Sequence, residues 1–275
     1  MAKFCYLCVF IQTLYKCVAM ENLVSTYNIF LIVMAVVALF VFVGLQFFEA
    51  GYGYLFDRRY GRPIPNKVGW VMMESPVFIL MCVLWAMSPR QWDAVPLVLF
   101  SLFQIHYFQR SFIFPLLMRG NSKMPLGIVV MGMVFNTLNA LMQGGWIFYL
   151  APENYYADWF SKPFIWIGAA VFVAGMAVNL HSDYIIRNLR KPGDKNHYIP
   201  RGGMFKFVSS ANYFGEILEW TGFAIASWSW AGVVFVWWTF ANLAPRSSSL
   251  YKRYEKEFGQ EFTSLGRKRI IPFVY

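Results

Sequence analysis

The sequence predicts an all-α integral membrane protein with seven transmembrane helices, its N-terminus outside and its C-terminus in the cytoplasm. The first observation is composition: 58% of the 275 residues are hydrophobic and 14% are charged, whereas soluble domains carry about 25% charged residues. The second is the length of the apolar blocks. The third is the strong bias of the cations towards one set of loops.

The apolar blocks divide the chain into seven predicted spans. Crossing the hydrocarbon core requires roughly 20 helical residues. The last block, 207–245, is about twice that length, and we expect it to break near Ser229 to Gly232. An N-terminal segment of unknown role, 1–26, then precedes one membrane domain, 27–275. The first five predicted spans are residues 27–48, 70–88, 94–117, 124–150 and 163–182.

The distribution of Lys and Arg sets the orientation and supports the odd number of spans. Cytoplasmic loops are enriched in these residues, so the formal charge of +10 indicates topology and we expect no nucleic-acid partner. We expect a monomeric, multi-pass protein of a bacterial inner membrane or the endoplasmic reticulum. Of the 24 cations, 19 lie in 49–69, 118–123, 187–206 and the tail after 245.

Ionisable side chains within the second and third predicted spans are candidates for catalysis. Glu74 lies four residues inside its span, where it either reaches the interface or stays buried with its proton and donates a hydrogen bond. Tyr107 and Arg110 lie one helical turn apart. A tyrosine in a membrane helix is usually packing, but a phenol beside a protonated carboxyl would form a donor pair that stabilises charge on a carbonyl oxygen.

Two later segments carry polar stripes at helical spacing. Asn179, Asp183 and Arg187 follow one another at four-residue intervals, and Asn212, Glu216 and Trp220 repeat the pattern. Polar groups at membrane depth are costly, so they usually face a partner, a cavity or a ligand. The first stripe could also be a solvated helix end. Together the two stripes favour a bound polar cofactor, with basic groups for phosphate and Trp for stacking.

Several known cofactor and metal motifs do not occur in the sequence. No GxGxxG motif follows a strand, which argues against a Rossmann domain. There is no HExxH motif, and the three histidines do not cluster, so we expect no catalytic metal. The four cysteines are interpreted as apolar packing residues.

Four segments of the sequence together resemble the membrane steroid 5α-reductases, from about Gly51 to Tyr275. The long string before the last block is the most specific of them. The segments are HYFQRSFIFPLLMRGN, NLHSDYIIRNLRKPG, IPRGGMFKFVSSANYFGEILEWTGFAIASW and KRIIPFVY.

The resemblance implies a seven-helix enzyme that uses NADPH to reduce the Δ4 double bond of a 3-oxo-Δ4-steroid. Glu74 and Tyr107 match the residues that hold the substrate's C3 carbonyl in that family, and hydride would pass to C5. Tyr52 matches a residue near the nicotinamide. The other cofactor-contacting positions are matched by Arg110, Asn179, Asp183, Arg190, Asn212, Glu216, Trp220, Arg246 and Tyr254.

The chain departs from the steroid enzymes at three positions. Met73 replaces the glutamine before the catalytic glutamate, Leu250 replaces a histidine, and Tyr198 replaces an arginine. These changes leave the expected reaction type intact, but they affect the expected steroid preference and the expected binding of the cofactor phosphate.

Other functions are compatible with parts of the pattern. A reductase of another enone lipid, such as a polyprenal or an enoyl-CoA, would use the same chemistry. A membrane methyltransferase using S-adenosylmethionine shares a loosely similar pair of polar C-terminal helices. A transporter or channel would place its ionisable residues along a pore or show repeat symmetry, whereas here they cluster towards the predicted cytoplasmic ends.

Overall fold

The protein is described by a computed structural model and is mostly helical. The structure describes residues 2–48, 51, 57–120, 122–191, 194 and 196–275, with side chains from residue 20 onward. The helices are α1 (Ala2–Phe47), α2 (Asn66–Ala86), α3 (Ala94–Phe108), α4 (Phe114–Leu117), α5 (Leu126–Gly144), α6 (Pro163–Asn188), α7 (Ala211–Ser227), α8 (Trp230–Phe258) and α9 (Gln260–Thr263).

Four described helical segments are long and apolar enough to cross a membrane. They are Met20–Phe47, Asn66–Ala86, Leu126–Leu150 and Pro163–Asn188. The first of these segments begins before residue 27. Helix α1 runs without interruption through the predicted domain boundary between residues 26 and 27. The remaining three predicted spans are also helical, and the third continues from α3 through a π-helical turn, Gln109–Ile113, into α4.

The predicted break in the last apolar block is confirmed. Trp228 adopts a left-handed conformation with φ of 47° and ends α7. Ser229 then caps α8, its side chain accepting a hydrogen bond from the Gly232 amide. The expected end of the final span at residue 245 is not a helix end, because α8 continues through Pro245 to Phe258.

Helices α6 and α7 pack with their backbones almost in contact. A Cβ atom at Gly168 would lie 2.3 Å from the Ala226 nitrogen, and one at Gly175 would lie 2.2 Å from the Glu219 nitrogen. Small residues allow close helix approach in membranes, where packing and hydrogen bonds drive association. The order of these contacts makes the two helices antiparallel.

Helices α2 and α5 run side by side in the same direction. Each begins directly after a short strand, and the strands β1 (Pro63–Pro65) and β2 (Lys123–Pro125) pair antiparallel. This small sheet, which the all-α prediction did not include, aligns the starts of the two helices. Further along, a Cβ at Gly132 would lie 2.3 Å from Cγ of Met73, so any larger residue there would displace the Met73 side chain.

The C-terminal segment is hydrogen-bonded to the stretch of chain that precedes α7. Lys268 forms a parallel bridge with Val208, and the Ser209 amide donates to the Lys268 carbonyl at 2.8 Å. The buried Arg267 guanidinium donates to the Pro200 carbonyl at 2.8 Å. These bonds fix the backbone on which α7 begins.

Candidate active site

A cavity of about 1610 Å³ lies between the helices and collects most of the predicted site residues. Residues from α1, α2, α3, α5, α6, α7 and α8 line it, together with the segment before α7. Ligand pockets for one drug-sized molecule are usually about 300–1,000 Å³. The cavity is therefore large enough for two ligands.

One part of the cavity, which we call the carboxyl–phenol end, holds Glu74 of α2 and Tyr107 of α3. Its apolar wall includes Phe135, Phe235 and Trp238, and the rings of Phe135 and Trp238 are 4.6 Å apart between centroids. Polar groups fixed in an apolar surround interact more strongly with a polar ligand atom than they would in water. The arrangement suits a flat apolar ligand with one polar oxygen.

Two asparagines of α5, which sequence reasoning missed, hold these side chains. Nδ2 of Asn136 donates to Oε2 of Glu74 at 3.0 Å, and Nδ2 of Asn139 donates to Oη of Tyr107 at 3.0 Å. Both asparagines are buried. Their three-residue spacing within an apolar span is the signal that could have identified them, because residues three apart share a helix face.

A second buried pair lies beside Tyr107. Nδ1 of His106 is 2.8 Å from Oε1 of Glu219 in α7, and the His106 ring packs 4.5 Å from Trp220. His106 lines the cavity, whereas Glu219 is fully buried. The pair joins α3 to α7 behind the carboxyl–phenol end.

The other part of the cavity, which we call the charged end, is organised around Arg110. Its guanidinium is 3.2 Å from Asp183 of α6 and 3.3 Å from Glu216 of α7, and it also lies over the rings of Trp70 and Phe114. Arg110 is in the π-helical turn, and such turns are frequent at functional sites.

The polar stripes predicted on α6 and α7 meet at this end. Nδ2 of Asn212 donates to Oδ1 of Asp183 at 3.2 Å, and Nδ2 of Asn179 donates to the Asn212 carbonyl at 2.9 Å. Asp183, Asn212 and Glu216 line the cavity. Asn179 is buried behind them and acts on the start of α7.

Basic and phenolic side chains complete the charged end. Nε of Arg246 donates to Oη of Tyr213 at 2.6 Å, and Arg190 and Tyr254 also line the cavity. Burial raises the pKa of Tyr254 to about 12, so this side chain remains a neutral phenol that can donate a hydrogen bond. Guanidinium groups and phenols are suitable partners for phosphate and ribose oxygens.

The structure brings together nine of the twelve predicted site residues as cavity lining. Asn179 lies behind the lining, and Trp220 is packed in the aromatic core with its ring centroid 5.6 Å from that of Tyr107. Tyr52 lies outside the described residues. The nine are Glu74, Tyr107, Arg110, Asp183, Arg190, Asn212, Glu216, Arg246 and Tyr254.

The three departures from the steroid enzymes all lie on the cavity wall. Met73 packs against α5, Leu250 is beside the charged end, and Tyr198 donates to Oδ2 of Asp194 at 2.7 Å. Among the described residues, no three His, Cys, Asp or Glu side chains come together in a way that could hold a metal ion.

Comparison with known proteins identifies the family of the chain. The profile of the family described as 3-oxo-5-alpha-steroid 4-dehydrogenase matches residues 122–275. The mouse 3-oxo-5-alpha-steroid 4-dehydrogenase 1 is 41% identical over 86% of this chain and 92% of its own length. The human protein of that name is 41% identical over 77% and 81%.

A plant relative matches nearly the whole length. The steroid 5-alpha-reductase DET2 of Solanum lycopersicum is 38% identical over 93% of this chain and 98% of its own length. The resemblance deduced from four sequence segments is thereby confirmed. The chain belongs to the 3-oxo-5-alpha-steroid 4-dehydrogenase family, whose members are oxidoreductases.

Proposed function

We propose that this protein uses NADPH to reduce the Δ4 carbon–carbon double bond of a 3-oxo-Δ4-steroid within the membrane, giving the 5α-reduced product. The observation that carries the proposal is a single cavity that joins a carboxyl–phenol pair to a cluster of guanidinium, amide and phenol groups. The names of the relatives support a steroid as the substrate.

The residues of the charged end fit a dinucleotide. Arg190 and Arg246 offer guanidinium groups for phosphate. Asn212, Asp183 and Tyr254 offer partners for ribose or carboxamide groups. The cavity volume exceeds that of a pocket for one drug-sized ligand. When bound, NADPH would supply a hydride.

The carboxyl–phenol end would activate the substrate. Glu74 in its protonated form and Tyr107 would donate hydrogen bonds to the C3 carbonyl oxygen. Withdrawal of charge onto that oxygen makes C5 electrophilic and stabilises the enolate, and each donor contributes about 3–4 kcal/mol in comparable sites. A proton from water or a relay then reaches C4. The apolar wall formed by Phe135, Phe235 and Trp238 would hold the rings.

We further propose that seven helical segments cross the membrane and that the charged end opens to the cytoplasm. The cations concentrated in the connections after the first, third and fifth spans and in the C-terminal tail support this orientation. So does the position of Arg246, which follows the last apolar stretch and lines the charged end.

The direct test is product identification with purified protein and NADPH. A panel would contain 3-oxo-Δ4-steroids, enoyl-CoAs and polyprenals, and we expect reduction of the steroids. Reduction of only a polyprenal or an enoyl-CoA would overturn the steroid assignment and leave the reaction class. Methyl transfer from S-adenosylmethionine with no NADPH oxidation would overturn both. Replacing NADPH with NADH tests whether Arg190 and its neighbours recognise a 2′-phosphate.

A substitution tests the role of the carboxyl group. Glu74→Gln should retain NADPH binding and lower steroid turnover by about 10²- to 10³-fold. Glu153→Gln is a matched control, because Glu153 is exposed between α5 and α6. Near-normal turnover of Glu74→Gln would defeat the assignment.

A further inference from the structure

Helix α5 carries three buried amide side chains on one face. Asn136, Asn139 and Gln143 are spaced at three and four residues and are all almost completely buried. Buried amides within a membrane helix are costly unless they are hydrogen-bonded. Asn136 donates to α2, Asn139 donates to α3, and Gln143 donates to the carbonyl of Ala231 at the start of α8.

The bond from Asn136 determines which oxygen of Glu74 carries the proton. The amide donates to Oε2 at 3.0 Å and also to the Met73 carbonyl at 2.7 Å, so its orientation is fixed from two sides. A protonated carboxyl has one O–H donor, and its carbonyl oxygen is the better acceptor of the two oxygens. Because Oε2 accepts from Asn136, the proton is directed to Oε1.

The bond from Asn139 has the same consequence for the phenol. Nδ2 of Asn139 donates to Oη of Tyr107, and within the part of the chain that the structure describes no acceptor takes the phenol proton. A phenol oxygen has one proton and two lone pairs. The occupied lone pair leaves the proton available to a ligand, while Gln143 holds Asn139 by donating both to its Oδ1 and to the Ala231 carbonyl.

The two asparagines hold Glu74 and Tyr107 from neighbouring positions on one face of α5. Residues three apart are separated by about 4.5 Å along the helix axis, and two donors on one oxygen each lie about 2.7–3.1 Å from it. We propose that Asn136 and Asn139 of α5 are positioning residues that turn the protons of Glu74 and Tyr107 towards one substrate carbonyl oxygen. This inference rests on the proposed function.

The test is a single-turnover measurement with NADPH-loaded enzyme and saturating 3-oxo-Δ4-steroid. The rate constant reports the chemical step, and the amplitude reports the fraction of competent enzyme. For Asn136→Ala, Asn139→Ala and Asn139→Leu we expect the rate constant to fall by about 10- to 100-fold with an unchanged amplitude. Leu has the same number and branching of side-chain heavy atoms as Asn but no N–H group, so it tests the donated hydrogen bond while keeping a branched side chain in place.

Thr137→Ala is the matched control on the same helix, because the Thr137 hydroxyl donates within α5 to the Met133 carbonyl. The proposal is overturned if the asparagine variants lose amplitude at an unchanged rate constant, which would indicate a structural role. The proposal is also overturned if the asparagine variants keep the rate constant and amplitude of Thr137→Ala while Glu74→Gln is inactive. An active Glu74→Gln enzyme would instead overturn the proposed function.

Discussion

The two ends of the cavity hold their polar side chains by different means. At the charged end, Arg110 is compensated by two carboxylates from α6 and α7. At the carboxyl–phenol end, neutral amides of α5 hold Glu74 and Tyr107. A charged network has strong fields and suits a charged ligand, whereas neutral donors leave the proton of an acid or a phenol available. The difference supports our proposal that one end recognises the cofactor and the other activates the substrate.

The largest effect is expected from separating the two helices that carry the charged end. Gly175→Leu places a side chain where a Cβ alone would be 2.2 Å from the Glu219 nitrogen. Because the obstacle is backbone, we expect a loss of more than about 3 kcal/mol in unfolding free energy. Thermal unfolding in detergent measures this. Gly44→Leu is the control, since nothing lies within 4 Å of a Cβ there, and equal stability of the two variants would contradict the packing argument.

Neutralising the charged end should separate its role in stability from its role in binding. Arg110→Met leaves Asp183 and Glu216 without this cation and should cost about 3–5 kcal/mol. Adding Asp183→Asn and Glu216→Gln should recover most of that stability, because a neutral set of similar volume avoids the buried charges. We expect no recovery of NADPH affinity. Equilibrium binding of NADPH and thermal unfolding measure the two effects. Full recovery of NADPH binding would show that the charges serve folding alone.

A polar side chain at Met73 probes the carboxyl–phenol end. Met73 is buried against Gly132, so Met73→Gln should lower stability by about 1–3 kcal/mol if the new amide finds no partner. We expect the steroid KM to change and the NADPH dissociation constant to stay the same. A shift in NADPH affinity with an unchanged steroid KM would contradict the division between the two ends.

The smallest effect is expected at the rim. Tyr198 is exposed and donates to Asp194, so Tyr198→Phe should change stability by less than about 0.5 kcal/mol. NADPH turnover should stay within a few-fold of the unmodified protein. A large loss of NADPH affinity would show that Tyr198 has taken over the role of the arginine found in the steroid enzymes.

The charged end could be predicted in detail, because charges within apolar segments are conspicuous and their four-residue spacing identifies the face they share. Asp183, Asn212 and Glu216 were found in this way, and they do meet in the cavity. The helix break before α8 was also visible, from the length of the block. Sequence reasoning failed where neutral groups act, because Asn136 and Asn139 lie in a block that was described only as apolar.

Long-range pairing was the other source of error. Residues 63–65 and 123–125 pair as strands although each is too short to give a strand pattern. The stacking role expected for Trp220 depended on which side of α7 faces the cavity, and that is set by the aromatic core around Phe103 and Phe235. Spacing predicts which residues share a helix face, but it does not predict what that face packs against.

The bridge between Val208 and Lys268 has a consequence for biosynthesis. The backbone at Ser209 and Ser210 is bonded to Lys268 and Arg269, residues that the ribosome adds much later than the loop they hold. Domains usually begin to fold from the N-terminal side as the chain emerges. The hydrogen bonds that hold the start of α7 can therefore form only after residues 268 and 269 have been synthesised, later than the apolar helices that precede them.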